Sequence, residues 1–396
     1  MTNITLAERV KSVKPSPTLG MAALAARLKA EGKPIISLAT GEPDFDTPSS
    51  VKEAAIKAIE AGFTKYTPAD GIVDLKKAVI EKFKRDNHLT YTLPQVMISA
   101  GAKDCLYNLI QAVINPGDEV IIPAPYWVSY PDIVLLAEGK SVIIPATFES
   151  FYKITPEQLE KAITPKTKFF IINSPSNPSG KAYTPDELKA LSEVLLRHPH
   201  VLVITDDIYE AMLWEQPEFT NILNVCPDLY PRTFVLNSLS KTYAMTGWRI
   251  GYAAGPAEVI EAMTNIQSQS ISNPTSIAQK AAIEALNGDQ QCVKDMMLAF
   301  KERHHYLYEK LRTLPGVRLH PADGTFYLFL DVSGAIKKKG LPNDAAFIEK
   351  LLLEANLALV PGSAFGIEGC VRLSFAASMD VLKEAVLRLE GFILSV

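Results

Sequence analysis

Lys241 is the residue of greatest chemical promise in this chain. It stands in Asn237-Ser238-Leu239-Ser240-Lys241-Thr242-Tyr243-Ala244-Met245-Thr246-Gly247-Trp248-Arg249-Ile250-Gly251-Tyr252, just after the apolar run Thr233 to Leu236. That run reads as a buried strand, so the lysine lies past a strand's carboxyl end, where α/β sheets carry their ligands. Small, apolar and aromatic neighbours disfavour the ammonium form and lower the amine's pKa, which suits a Schiff-base nucleophile. Arg249, as a bidentate fork, and the hydroxyls of Ser238 and Ser240 suit a phosphate beside that amine. An imine-forming lysine next to a phosphate cradle points to pyridoxal 5'-phosphate. A solvated surface lysine is the plain alternative.

Five other places have chemistry to offer, each with a structural alternative. Gly101-Ala102-Lys103 joins a strand to a helix, so its backbone N–H groups suit either a phosphate or an ordinary βα turn. Trp127, in Pro125-Tyr126-Trp127, suits stacking on a flat ring or packing in a core. Asn177 precedes Pro178, which restricts its backbone; its amide is aimed at a ligand oxygen or sits in a plain turn. Asp206 closes the apolar run Val201-Leu202-Val203-Ile204-Thr205, where a carboxylate needs a partner. A protonated pyridine nitrogen is one such partner, and makes the ring an electron sink; a helix N-cap is the other role for Asp206. Tyr209, three residues on, is placed to bond the ring's phenolic oxygen. Arg372, between Val371 and Leu373, needs an anion, which is either a substrate carboxylate or a structural ion pair.

The elements that must position these groups alternate. Short apolar runs at Gln95 to Ser99, Glu119 to Pro123, Ser141 to Pro145, Lys168 to Ile172, Val201 to Thr205, Thr233 to Leu236 and Trp248 to Ala253 are separated mostly by helical patterns. Such alternation predicts an α/β fold, a mostly parallel sheet covered by helices on both faces. From about Ser272 the pattern changes to long helices, Ser276 to Leu286 and Gln291 to Leu314. Strands at Gly324 to Leu330, Leu357 to Val360 and Val371 to Phe375 follow, with a helix Asp344 to Glu354 and a closing helix. This predicts a large domain over 48–290 and a small α+β domain built from both chain ends, 1–47 and 291–396. Ile35 to Leu38 reads as a short strand of that small domain.

Composition narrows the function classes. The 396 residues suffice for two domains, 47% are hydrophobic, and the net charge is -4. That balance gives no electrostatic reason to expect nucleic acid or an anionic membrane as partner. No run is long enough to cross a bilayer and Met1 to Val13 has no apolar signal core, so a cytoplasmic location is expected. Cys105, Cys226, Cys292 and Cys370 lack paired spacing and read as reduced thiols. The six histidines have no ligand-spaced company, so no metal site is expected. Gly-x-Gly-x-x-Gly, Walker and Gly-x-Ser-x-Gly motifs are absent from the sequence.

Together the motifs resemble the class I, fold-type I aminotransferases of the aspartate aminotransferase family, from about Ala7 to the last helix. The resemblance is carried, in order, by Gly41-Glu42-Pro43-Asp44-Phe45-Asp46-Thr47-Pro48, Lys65-Tyr66, Pro125-Tyr126-Trp127, Asn177-Pro178-Ser179-Gly180, Asp206-Asp207-Ile208-Tyr209, Lys241 with Arg249, and Arg372. It implies that Gly41 offers backbone contact to substrate, that Trp127, Asn177 and Arg372 share in binding it, and that Tyr66 reaches the partner subunit's cofactor phosphate in a homodimer. Ile266 to Asn273 has no arginine to clamp a distal carboxylate, a departure from many of these enzymes. Lys103 instead resembles a branch in which that lysine reads the acidic side chain, and Lys14-Pro15-Ser16 fits the same branch. Aspartate and 2-oxoglutarate are the expected substrates, with prephenate or broader use open. A pyridoxal phosphate C–S lyase or synthase shares the same lysine, aspartate and arginine. A ligand-sensing regulator would need an amino-terminal DNA-binding segment and a basic patch that the sequence does not offer.

Overall fold

The structure, a computed structural model, describes residues 4–13, 17–216 and 218–395. In chain order the strands are β1 Ile36–Ser37, β2 Val96–Ser99, β3 Glu119–Ala124, β4 Lys140–Pro145, β5 Thr167–Asn173, β6 Leu202–Asp206, β7 Thr233–Ser238, β8 Gly251–Ala254, β9 Arg318–Leu319, β10 Tyr327–Asp331, β11 Leu357–Ala358, β12 Val360–Pro361 and β13 Cys370–Ser374. Seven of them form one sheet in the order β2-β8-β7-β6-β5-β3-β4. β8 runs antiparallel to both its neighbours, and the remaining pairings are parallel.

Apart from the edge strand β4, where Ile143 is exposed and only Ile144 is buried, both faces of this sheet are covered, which explains why its strands read as continuous apolar runs rather than alternating ones. The two-residue period sorts their side chains. Phe170, Ile172, Val203 and Val235 enter one cluster with Val79, Phe83, Leu188, Leu191 and Ala281 of covering helices. Phe169, Ile171, Ile204, Phe234 and Leu236 enter the opposite cluster with Leu106, Leu109, Ile133, Ile260 and Met263. The consequence for function lies at the carboxyl ends. Asn173 pairs with Asp206, and Asp206 with Leu236, so the polar ends of β5, β6 and β7 reach one rim in register.

A four-stranded antiparallel sheet, β12-β13-β10-β9, lies in the carboxyl-terminal part. Its apolar cluster joins Phe300, Leu307 and Leu311 of the helix Gln291–Leu311 to Leu328, Phe347, Val371, Leu373 and Phe392, and also takes in Leu38. β1 pairs parallel with β11, which ties the opening segment to this part.

Three expectations need correction. Leu357 to Val360 is two strands, because the chain passes from β1's partner to β13's within three residues. The run Trp248 to Ala253 becomes a strand only at Gly251: Thr246–Trp248 is a 3-10 turn and Arg249 has φ 57, left-handed backbone that ends the turn and starts β8. The long helix ends at Leu311 rather than Leu314.

Candidate active site

A cavity of about 340 Å³ opens at the carboxyl rim of β5, β6 and β7. Its wall brings together Gly41, Ala102, Lys103, Trp127, Asn177, Asp206, Tyr209, Ser240, Lys241, Arg249 and Arg372. These residues are separated by up to 331 positions in the chain, and the strand ends collect them at one place.

Lys241 lies on a single-turn helix, Leu239–Thr242, capped by Ser238, whose Oγ accepts from Ser240 N–H at 3.0 Å. Its Nζ donates to the backbone oxygen of Gly41. Burial, above all, lowers the lysine pKa to about 8; Glu42 opposes the shift, and the positive charges of Arg372, Arg249 and Lys103 add to it. The amine is thus neutral in a fraction of molecules that an exposed lysine would reach only several pH units higher.

Asp206 is buried at the end of β6. Its Oδ2 accepts from Tyr130 OH at 2.5 Å, and its Oδ1 lies 3.4 Å from Ile208 N, too long for a strong cap. Burial pushes its pKa up to about 6, with the Tyr130 bond and the charge of Lys241 holding it down. At neutral pH it is largely a carboxylate, poorly solvated and without a cationic hydrogen-bond partner. Asn173 organises its surroundings, donating to Asp206 O at 2.8 Å and accepting from Asn177 N–H at 2.9 Å.

Arg372 is buried on β13. Nη1 donates to Asn177 Oδ1 at 2.9 Å and Nη2 to Ala39 O at 2.6 Å, while Nε has no partner among the described residues. Its guanidinium lies over the rings of Tyr327 (4.5 Å) and Phe365 (4.9 Å). Burial works against its charge, and the opposing influences come only from Tyr327 and Tyr209. A buried cation so placed calls for an anion in the cavity.

Next to Ala102 of this wall, Gly101 has φ 97 and precedes the helix Ala102–Val113. A Cβ on Gly101 would meet Arg249 Nη2 at 2.6 Å, and one on Gly251 would meet Ala102 N at 2.3 Å. Both glycines are therefore needed for the arginine, the helix start and β8 to converge. Arg249 is fixed by Nη1 to Thr246 O (2.9 Å) and Nη2 to Ala100 O (3.0 Å). A helix start beside a held guanidinium suits a phosphate. Lys103 Nζ lies 4.9 Å from the Trp127 ring centroid; burial lowers its pKa and the nearby Arg249 charge adds.

Three expected members, Gly101 (whose neighbours Ala102 and Lys103 do line it), Ser238 and Tyr66, are not on this wall. Ser238 stands behind it, with Oγ 3.0 Å from Ile250 O and 2.7 Å from Ser240 Oγ, so Ser240 is the serine that faces the cavity. Tyr66 is 90% exposed and does not line its own chain's cavity. Lys14-Pro15-Ser16 lies outside the described residues. Conversely, Tyr130, Tyr327 and Asn173 line the cavity and were not singled out from the sequence, nor were Thr18 and Ala22 of the helix Pro17–Ala30. The available signal was a hydroxyl set in an otherwise apolar segment, as with Tyr327 in Phe326-Tyr327-Leu328-Phe329.

Among the described residues, no group of acidic, histidine or cysteine side chains could hold a metal ion, and no helix is long and apolar enough to cross a membrane. The family model for aminotransferase class I and II matches residues 33–389. The chain is 56% identical over 394 residues to an aspartate/prephenate aminotransferase of Nitrosomonas europaea, covering 98% of this chain and 99% of that one. It is 48% identical to an aspartate aminotransferase of Bacillus sp. (strain YM-2), covering 98% and 99%. Among solved structures, the aspartate aminotransferase from Rhizobium meliloti superposes with a TM-score of 0.94 at 45% identity, covering 99% of each chain. That from Thermus thermophilus with maleate gives 0.93 at 40% identity, covering 98% of this chain and 100% of the other.

Proposed function

Because this chain belongs to the class I and II aminotransferases, we propose that it moves the amino group of L-aspartate to 2-oxoglutarate, giving oxaloacetate and L-glutamate in two half-reactions. The observation that carries the reading is the buried Arg372, with a free Nε and no anionic partner among the described residues, facing the same cavity as the pKa-lowered Lys241.

The cavity residues fit pyridoxal 5'-phosphate. Asp206 offers a buried carboxylate for the pyridine nitrogen, Asn177 and Tyr209 offer donors for the phenolic oxygen, and Lys241 offers the amine for the aldehyde. The Gly101–Lys103 backbone, Ser240 and Arg249 offer the phosphate cradle, with Ser238 supporting Ser240 and Tyr66 of a second copy completing it. When bound, this cofactor supplies a conjugated ring that takes up the electron pair left by the broken Cα–H bond.

The chain's own residues do the rest. Arg372 binds the α-carboxylate through Nε and an Nη, which fixes the Cα–H direction. Neutral Lys241 Nζ takes the α-proton and later returns a proton, base first and acid second, with a pKa near the working pH. Trp127 walls the site and Gly41 contributes its backbone. Lys103 supplies positive charge at the Trp127 side for the distal carboxylate of aspartate; the Thermus relative solved with maleate, a four-carbon dicarboxylate, supports that choice. Prephenate is a second oxo acid, favoured by the name of the Nitrosomonas relative.

The test is a panel of amino donors with 2-oxoglutarate or prephenate, run on the native enzyme and on Lys103→Ala. Oxaloacetate forms from aspartate, and Lys103→Ala raises the KM for aspartate about tenfold or more, far above its effect on an apolar donor. Release of pyruvate or thiol without oxaloacetate would instead assign a lyase. An equal KM effect on both donors would reduce Lys103 to a phosphate-loop residue.

A further inference from the structure

Tyr327 opens β10 and is buried, yet its hydroxyl lies 3.0 Å from Tyr209 OH. Its ring carries the Arg372 guanidinium at 4.5 Å. This follows from register: Tyr327 pairs with Ser374 and Phe329 with Arg372, so tyrosine and arginine are diagonal neighbours across an antiparallel pair. The hydroxyl also reaches Gly41, where an added Cβ would stand 2.3 Å from it. One side chain therefore touches the oxygen donor, the carboxylate-binding arginine and the loop that holds the lysine amine.

Two hydroxyls share one hydrogen bond here. Their two protons allow two arrangements: Tyr209 donates to Tyr327, or Tyr327 donates to Tyr209 and leaves the Tyr209 proton for the cavity. The titratable and charged groups facing the pair are Asp206 and Arg372. An anionic oxygen in the cavity attracts the Tyr209 proton and selects the second arrangement, in which the two hydroxyls form a polarised chain. We propose that Tyr327 is a positioning residue that donates to Tyr209, orienting and strengthening the hydrogen bond Tyr209 gives to a ligand's phenolic oxygen. The proposal rests on the assignment of pyridoxal phosphate to this cavity.

The experiment is a pH titration of the visible absorbance of the loaded protein in four forms: native, Tyr327→Phe, Tyr209→Phe and the double variant. A donor to the phenolic oxygen stabilises its deprotonated state and lowers the pH midpoint of the band. Tyr327→Phe keeps the ring on Arg372 and removes only the hydroxyl. It raises the midpoint by about 0.5, and Tyr209→Phe raises it by more. In the Tyr209→Phe background, Tyr327→Phe gives no further rise, because the relay is already cut. No rise in Tyr327→Phe, or an equal rise with Tyr209 absent, overturns the proposal; a residue that only packs would move thermal stability and leave the midpoint in place. Absence of any visible band in the native loaded protein would sink the cofactor assignment itself, a separate outcome.

Discussion

At the scale of single residues, the amine of Lys241 is tuned by what surrounds it. Its pKa of about 8 has burial as its main cause, and three cationic side chains act in the same direction. A neutral amine is the form that attacks an aldehyde, so under the proposed cofactor assignment capture of pyridoxal phosphate by the cofactor-free protein accelerates as pH rises and levels off above about 8. Stopped-flow absorbance on the stripped protein measures this; a rate still climbing steeply toward pH 10 would contradict the lowered value. The small and apolar neighbours of Lys241 made a lowered pKa legible in the sequence. The contribution of Arg372, 131 positions further on, was not, because a charge acts through space and only the folded sheet sets that separation. Tyr130 escaped notice for the same reason: its importance is its bond to Asp206 on β6, with β5 between that strand and β3, which its own helix follows.

At the scale of elements, the rim is held from behind. Glu210, just past Tyr209, accepts from Lys82 of the helix Val73–Asn87, from Asn87 Nδ2 at 2.6 Å and from Asn237 Nδ2 at 2.8 Å. Lys82 and Glu210 are both nearly buried, so helix, β6 turn and β7 end are locked by an ion pair in low dielectric. Lys82→Met leaves Glu210 without its cation and is expected to cost about 3–5 kcal/mol, read from urea denaturation. Adding Glu210→Gln should recover part of that loss; a Lys82→Met cost below about 1 kcal/mol would show the pair to be dispensable. The strands of the large sheet were readable from apolar runs since, the edge strand β4 apart, both faces are covered. The split of Leu357 to Val360 was not, because passing from one sheet to another leaves the apolar pattern unbroken. The late start of β8 was masked by Trp248 and Ile250, apolar residues that pack from a turn.

At the scale of the whole molecule, we propose that 48–290 and the pair 1–47 with 291–396 act as large and small domains, with Arg372 and Tyr327 carried by the smaller one. Tyr66, exposed and not lining its own cavity, fits a site completed by a second copy. Under that proposal Lys241→Ala and Tyr66→Ala are each nearly inactive alone. Mixed in equal amounts and allowed to exchange subunits, they recover about a quarter of native activity, since half the dimers are hybrids with one intact site. No recovery despite demonstrated exchange would place Tyr66 outside the shared site. The antiparallel turn of β8 has a last consequence. Ser238 and Gly251 are paired across it, so the amine at 241 and the guanidinium at 249 hang on one short leash whose two ends are pinned side by side. The leash works as a ruler: an inserted or deleted residue between 241 and 249 would alter the spacing between that amine and that guanidinium.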